Sequence, residues 1–146
     1  MLKTTKKGFT IIEVVIVLVI GAVIMLGVFL VVPGLQRSAQ NQRRQDIARQ
    51  LLAATEQFKA NNQGTFPTDT EVTAQIDANA LKDPNGTATT VVIGSTNPAT
   101  IANAAIGKNL ECSGQTFGGT AKPGKVAVVI ATAGTGTAVT TYCVSN

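Results

Sequence analysis

The distribution of apolar and polar positions divides the chain into three stretches. From Phe9 to Val32 nearly every position is apolar. The run to Pro33 is about 25 residues, or about 37 Å of helix, against a hydrocarbon core of roughly 30 Å. A run that is apolar on all sides and this long predicts a membrane-spanning helix. Its many β-branched residues are tolerated because lipid leaves internal hydrogen bonding as the only option for the backbone. Gly21 and Gly27 allow close helix approach but lack the Gly-x-x-x-Gly spacing. Pro33-Gly34 follows at once, and a missing amide donor beside a poor helix former predicts a kink or a locally unwound segment there.

From Leu35 to about Asn61 the helix is expected to resume with a different character. Gln36, Arg37, Gln40, Asn41, Gln42, Arg43, Arg44, Gln45 and Asp46 make its first part polar nearly all round. Such a helix is either bridging solvent or covered by partners. Arg37 and Arg44 share a face, yet a solvated neck is preferred to a lipid-headgroup or DNA patch. Asp46 is placed to pair with Arg43 and Arg49 at three-residue spacing. Ile47, Leu51, Ala54 and Phe58 then recur at spacings of four, three and four, with Ala48, Leu52 and Thr55 alongside. That face is where a soluble domain should pack.

Beyond residue 61 the pattern changes to short apolar runs among turn residues. Asn61-Asn62-Gln63-Gly64 carries a helix stop signal. Phe66 is expected to anchor the following turn against the top of the helix. Thr68 or Asp69 could cap a short helix running to Gln75 or Leu81. Asp83-Pro84-Asn85-Gly86 reads as a turn. Asn85-Gly86-Thr87 also fits a glycosylation sequon, a pattern too short to carry weight. Strands are expected at 89–93, 125–131 and 139–144, the last two joined by Thr132-Ala133-Gly134-Thr135-Gly136-Thr137 as an antiparallel hairpin. The predicted class is α+β: a long N-terminal helix, membrane-spanning and then amphipathic, packed on a small C-terminal antiparallel sheet. The expected segments are a leader at 1–8, a transmembrane or filament-core helix at 9–33, an amphipathic helix at 34–61 and a β-rich head at 62–146.

Composition limits the chemistry. At 146 residues the chain accommodates one membrane helix and one small domain. The formal charge is +4; losing Lys3, Lys6 and Lys7 takes Lys+Arg from 12 to 9 against 8 acids, leaving +1, which does not suggest bulk nucleic-acid binding. With those lysines ahead of the apolar run, the N-terminus is expected to stay in the cytoplasm and the remainder to face outward. Cys112 and Cys143 fall in the outward part, with no Cys-x-x-Cys and no histidine. That favours a disulfide, worth about 3–4 kcal/mol in the chain-entropy model, over a metal or redox site; two free buried thiols are the alternative. No histidine-based site, phosphate-binding glycine loop or paired carboxylates are identifiable, so no catalytic residue, metal ligand or cofactor is assigned and an enzyme is not expected.

One residue is out of place. Glu13 sits inside the apolar run, where a carboxylate is costly and marks a functional site. No Lys or Arg lies between Lys7 and Arg37. Cleavage after Gly8 would give Phe9 a charged amine one helical turn from Glu13, and the same amine on a neighbouring copy is equally eligible. A conventional secretory signal peptide has a shorter apolar core and a small-residue cleavage site, and neither is found here. An ordinary single-pass anchor carrying a stray carboxylate is the other alternative.

At Lys6-Lys7-Gly8-Phe9-Thr10-Ile11-Ile12-Glu13 the sequence closely resembles the class III signal of type IV prepilins. The resemblance implies a prepilin peptidase that cleaves after Gly8 and N-methylates Phe9. It further implies that Glu13 neutralises the amine of an adjacent subunit, that the helix melts locally near Pro33 and Gly34 in the assembled filament, and that a disulfide bounds a C-terminal region, here Cys112 to Cys143. The expected function is a structural subunit of a surface pilus serving motility, adhesion or DNA uptake. The expected partners are copies of itself, the prepilin peptidase, the pilus assembly platform and the cytoplasmic membrane, with any DNA or surface ligand unknown. The alternatives are a pseudopilin of a type II secretion or competence system, a monomeric membrane-anchored binding module, and a secreted adhesin.

Overall fold

The computed structural model describes residues 8–83, 85–101, 103–134 and 138–146. The leader lysines Lys3, Lys6 and Lys7, Pro84 of the predicted turn, and Thr135, Gly136 and Thr137 of the predicted hairpin loop lie outside the described residues. The chain forms two compact units, residues 1–36 and 37–146.

In the first unit, helix α1 (Ile11–Asn61) begins directly after Thr10 and is long and apolar enough to cross a membrane. Every residue from 8 to 36 is exposed. The helix runs unbroken through Pro33 and Gly34, so the locally unwound alternative is not adopted. Proline deletes one rung, leaving the Phe29 carbonyl without its donor, while the rungs on either side still hold the backbone helical.

The second unit is built on the C-terminal half of α1, a short helix α2 (Asp69–Ala74) and six strands. These are β1 (Thr90–Ile93), β2 (Asn103–Lys108), β3 (Cys112–Ser113), β4 (Thr116–Phe117), β5 (Val126–Ala133) and β6 (Val139–Ser145). Helix α1 ends where Gln63 and Gly64 turn left-handed, at φ 54° and 82°, and the Gly64 amide closes on the Lys59 carbonyl at 2.8 Å. Thr68 caps α2, with Glu71 completing a reciprocal capping box.

The main sheet has the order β1-β2-β5-β6. It is mixed rather than antiparallel throughout. β1 runs parallel to β2, from Thr90↔Asn103 to Ile93↔Ile106, while β2–β5 and β5–β6 are antiparallel. The parallel pair is joined through the short connection after Ile93, whose described residues form no helix of the kind such a crossover usually carries. β2 has no counterpart among the expected strands: Asn103-Ala-Ala-Ile-Gly-Lys108 contains a single β-branched residue, and only its central place between two strands makes it one.

The two faces of the sheet are covered differently. Val91, Ala104, Ile106, Val126, Val128 and Ile130 form one core with Ile47, Ala48, Leu51 and Ala54 of α1, and with Val72 and Leu81. Each fully buried Ile or Leu here contributes roughly 1.5–3 kcal/mol. This is the face of α1 that the helical spacing predicts, with Phe58 only partly buried. On the opposite face Ala105, Ala127, Val129 and Ala131 are buried as well, and Gly107 lies in register with Ala127. Here the cover is the segment around the β3–β4 hairpin. Leu110 and Phe117 lie so close over Gly107 that a Cβ there would meet Leu110 Cδ1 at 2.6 Å and Phe117 Cε1 at 2.9 Å. The Cys112–Cys143 disulfide ties this flap to β6, and Asn97 Oδ1 accepts from the Phe117 amide at 3.1 Å.

The polar part of α1 within this unit is docked at Asn41, Arg43 and Arg44, while Arg37, Gln42 and Asp46 stay exposed as a solvated neck would have them. Arg44 is 3% exposed and pairs at 3.0 Å with Asp83, which is buried as well. Arg43 does not pair with Asp46; it donates to the carbonyls of Ala80 and Lys82 at 3.1 and 3.4 Å, and Asp46 takes Arg49 at 2.8 Å. Asn41 donates to the Ala133 carbonyl at 2.7 Å and accepts from its amide at 2.9 Å. Ala133 lies beyond the end of β2, so the Asn41 amide supplies the rung that the missing strand would have made. Polarity on this stretch serves the ends of loops and strands, which present backbone groups that must be paired.

Candidate processing and assembly site

The site is the start of α1. Gly8 and Phe9 precede the helix, and Phe9 is 91% exposed. A Cβ built on Gly8 would meet nothing within 4 Å among the described residues, so there is open space beside the glycine. Thr10 begins the helix by accepting from the amides of Glu13 and Val14 at 3.2 and 3.5 Å. Phe9 and Glu13, one turn apart, line the same apolar hollow with Val14, Val17 and Leu18. The two residues singled out by sequence are therefore brought together on one side of the helix.

The carboxylate is not left bare. Glu13 Oε2 accepts from the Thr10 amide at 2.8 Å and from the Thr10 hydroxyl at 2.7 Å. The same arrangement occurs at α2, where Glu71 Oε2 accepts from the Thr68 amide and hydroxyl at 2.7 and 2.8 Å. There the Thr68 backbone bond, followed by its hydroxyl, holds the exposed Glu71 carboxyl below its ordinary range. Sequence reasoning overlooked Thr10, although Thr10-x-x-Glu13 is the capping-box spacing and stands directly before an apolar run. In the free chain Glu13 thus has two donors of its own helix end, which also carries the positive pole of the helix. An amine arriving from outside would add a charge to an acceptor that is already oriented.

The remaining predicted positions are dispersed. Pro33 and Gly34 lie within α1. Cys112 and Cys143 are disulfide-bonded on the far face of the sheet, their Cα atoms 5.8 Å apart. On the same flap Lys122 donates to Glu111, and this bond and charge hold the exposed Glu111 carboxyl low. Among the described residues no group of three or more His, Cys, Asp and Glu side chains could hold a metal ion.

Residues 3–29 match the profile of the prokaryotic N-terminal methylation motif. The match takes in Gly8, Phe9, Thr10 and Glu13 with most of the apolar run, and leaves the head outside it. No curated protein and no solved structure matches the chain. The motif and the long apolar helix fit a membrane-anchored precursor. The motif implies processing by a prepilin peptidase and assembly into a polymer. The chain therefore bears, at residues 3–29, the class III N-terminal methylation signal of type IV pilins and pseudopilins, followed by a pilin-like α+β architecture.

Proposed function

We propose that the chain is the structural subunit of a type IV pilus. The precursor spans the cytoplasmic membrane with its N-terminus inside. A prepilin peptidase cleaves after Gly8 and methylates the new amine of Phe9. The assembly platform then draws subunits from the membrane into an extracellular helical filament cored by their apolar helices.

The observation that carries this reading is Glu13: a carboxylate in an otherwise apolar run, one turn from the cleavage bond, held among the described residues by Thr10. Apolar burial supplies the packing energy of the filament core. The pair between Glu13 and a neighbour's Phe9 amine fixes the axial offset, since a buried ion pair is a poor net stabiliser but a good register device. Pro33 and Gly34 are the place where the helix can yield as subunits pack.

The test is an intact mass from filaments sheared off cells, together with the filament yield of Glu13→Ala. The expected mass lacks residues 1–8, gains one methyl and is short by the two hydrogens of the disulfide. Glu13→Ala should insert in the membrane normally and polymerise poorly. A full-length mass confined to the membrane fraction, or normal filament yield from the variant, would overturn the reading. A processed mass kept within the cell envelope would instead indicate a pseudopilin, which shares the motif.

A further inference from the structure

We propose that the free edge of β6 is a pairing surface for β6 of a second copy of the chain. The phase of the β5–β6 ladder fixes which backbone groups face outward. The Gly134 amide bonds the Ala138 carbonyl at 2.9 Å, and the Asn146 amide bonds the Val126 carbonyl at 3.2 Å. Both belong to the register that sets Val128 opposite Val144, Ile130 opposite Tyr142 and Thr132 opposite Thr140. In an antiparallel ladder alternate residues bond across the pair, so those positions are the bonded ones. The N–H and C=O of Val139, Thr141, Cys143 and Ser145 consequently point away from the sheet. Among the described residues nothing bonds them.

Folded proteins blunt such edges with charge, proline, bulges, brevity or a covering element. The opposite edge is protected in this way: β1 has four residues, and Pro67, Thr68 and Asp69 lie beside Val92 and Ile93. β6 has seven residues, Val139-Thr-Thr-Tyr-Cys-Val-Ser145, with no charge and no proline.

The same features identify the occupant. The outward residues are disposed symmetrically about Tyr142. A two-fold axis at Tyr142 sets Thr141 opposite Cys143 of the other copy and Val139 opposite Ser145, and every outward amide and carbonyl is then bonded. No like charges oppose one another in that register, a condition a charged strand could not meet with itself. Such a pair closes on itself at two heads and does not propagate, so it is distinct from the head-to-tail repeat of a polymer.

The register places the single tyrosine of the chain directly opposite its own copy. The test uses the full-length chain in neutral detergent micelles, illuminated with a ruthenium tris-bipyridyl complex and persulfate. Each phenol then loses one electron and one proton to the persulfate-driven oxidant, and the ortho carbons join as dityrosine. The wild-type chain should give a dityrosine-linked dimer. Thr141→Pro, which removes an outward amide without touching the β5 ladder, and Val139→Lys/Ser145→Lys, which opposes like charge in the paired register, should each lower the yield about tenfold or more. Amide protection of β5 verifies that each variant is folded. No dityrosine dimer from the wild type overturns the proposal. So does an undiminished yield from either folded variant.

Discussion

Replacing Arg44 by methionine should cost the head about 3 kcal/mol. The Arg44–Asp83 pair is buried, with 4% of each side chain exposed and 3.0 Å between Nη2 and Oδ2. Breaking a buried pair by removing one partner typically costs about 3–5 kcal/mol. Arg44→Met belongs at the low end, because Asp83 Oδ1 still accepts from the amides of Asn85 and Thr87 at 3.0 and 2.9 Å. Asp83→Asn should cost as much or more: it leaves the guanidinium buried without its counter-charge, and Arg44 Nε is already buried with no hydrogen-bond partner among the described residues. The double variant replaces two buried charges with a thioether and an amide that can still hold the loop. It should therefore be better than the sum of the singles by about 2 kcal/mol. Chemical denaturation of the full chain in one detergent, followed by near-ultraviolet dichroism of Tyr142, gives the three differences. Single-variant costs below about 1 kcal/mol, or additivity within about 0.5 kcal/mol, would mean that the pair does not hold helix and loop together.

Removing the disulfide as Cys112→Ser/Cys143→Ser should lower stability by about 3–4 kcal/mol, from the entropy of the 31-residue separation it closes. Matched denaturation midpoints provide the measurement, and a difference below about 1 kcal/mol would mean the flap holds itself. Gly107→Val should cost about 2–3 kcal/mol by pushing Leu110 and Phe117 outward. Hydrogen exchange should rise across residues 110–117 while the amides of β5 stay protected; unchanged flap exchange would refute the close packing.

What the sequence determined by itself was local. The run from Phe9 to Val32 declares its helix through continuous apolarity, and Gly8, Phe9 and Glu13 declare the processing motif through order along the chain. The Ile47–Leu51–Ala54 face, the Thr68 cap and the β5–β6 hairpin were legible because period, cap chemistry and turn residues act over a few positions. Thr10 was equally local and simply overlooked. Tertiary structure decided what depends on residues far apart. β2 is a strand because β1 and β5 flank it, although its own residues barely favour extension. Gly107 matters because Leu110 and Phe117 fold back over it. Arg43, Arg44 and Asn41 looked like a solvated neck because polarity states only that a side chain needs hydrogen bonds. Only the fold decides whether water, the Asp83 carboxylate or the backbone of residues 80, 82 and 133 supplies them.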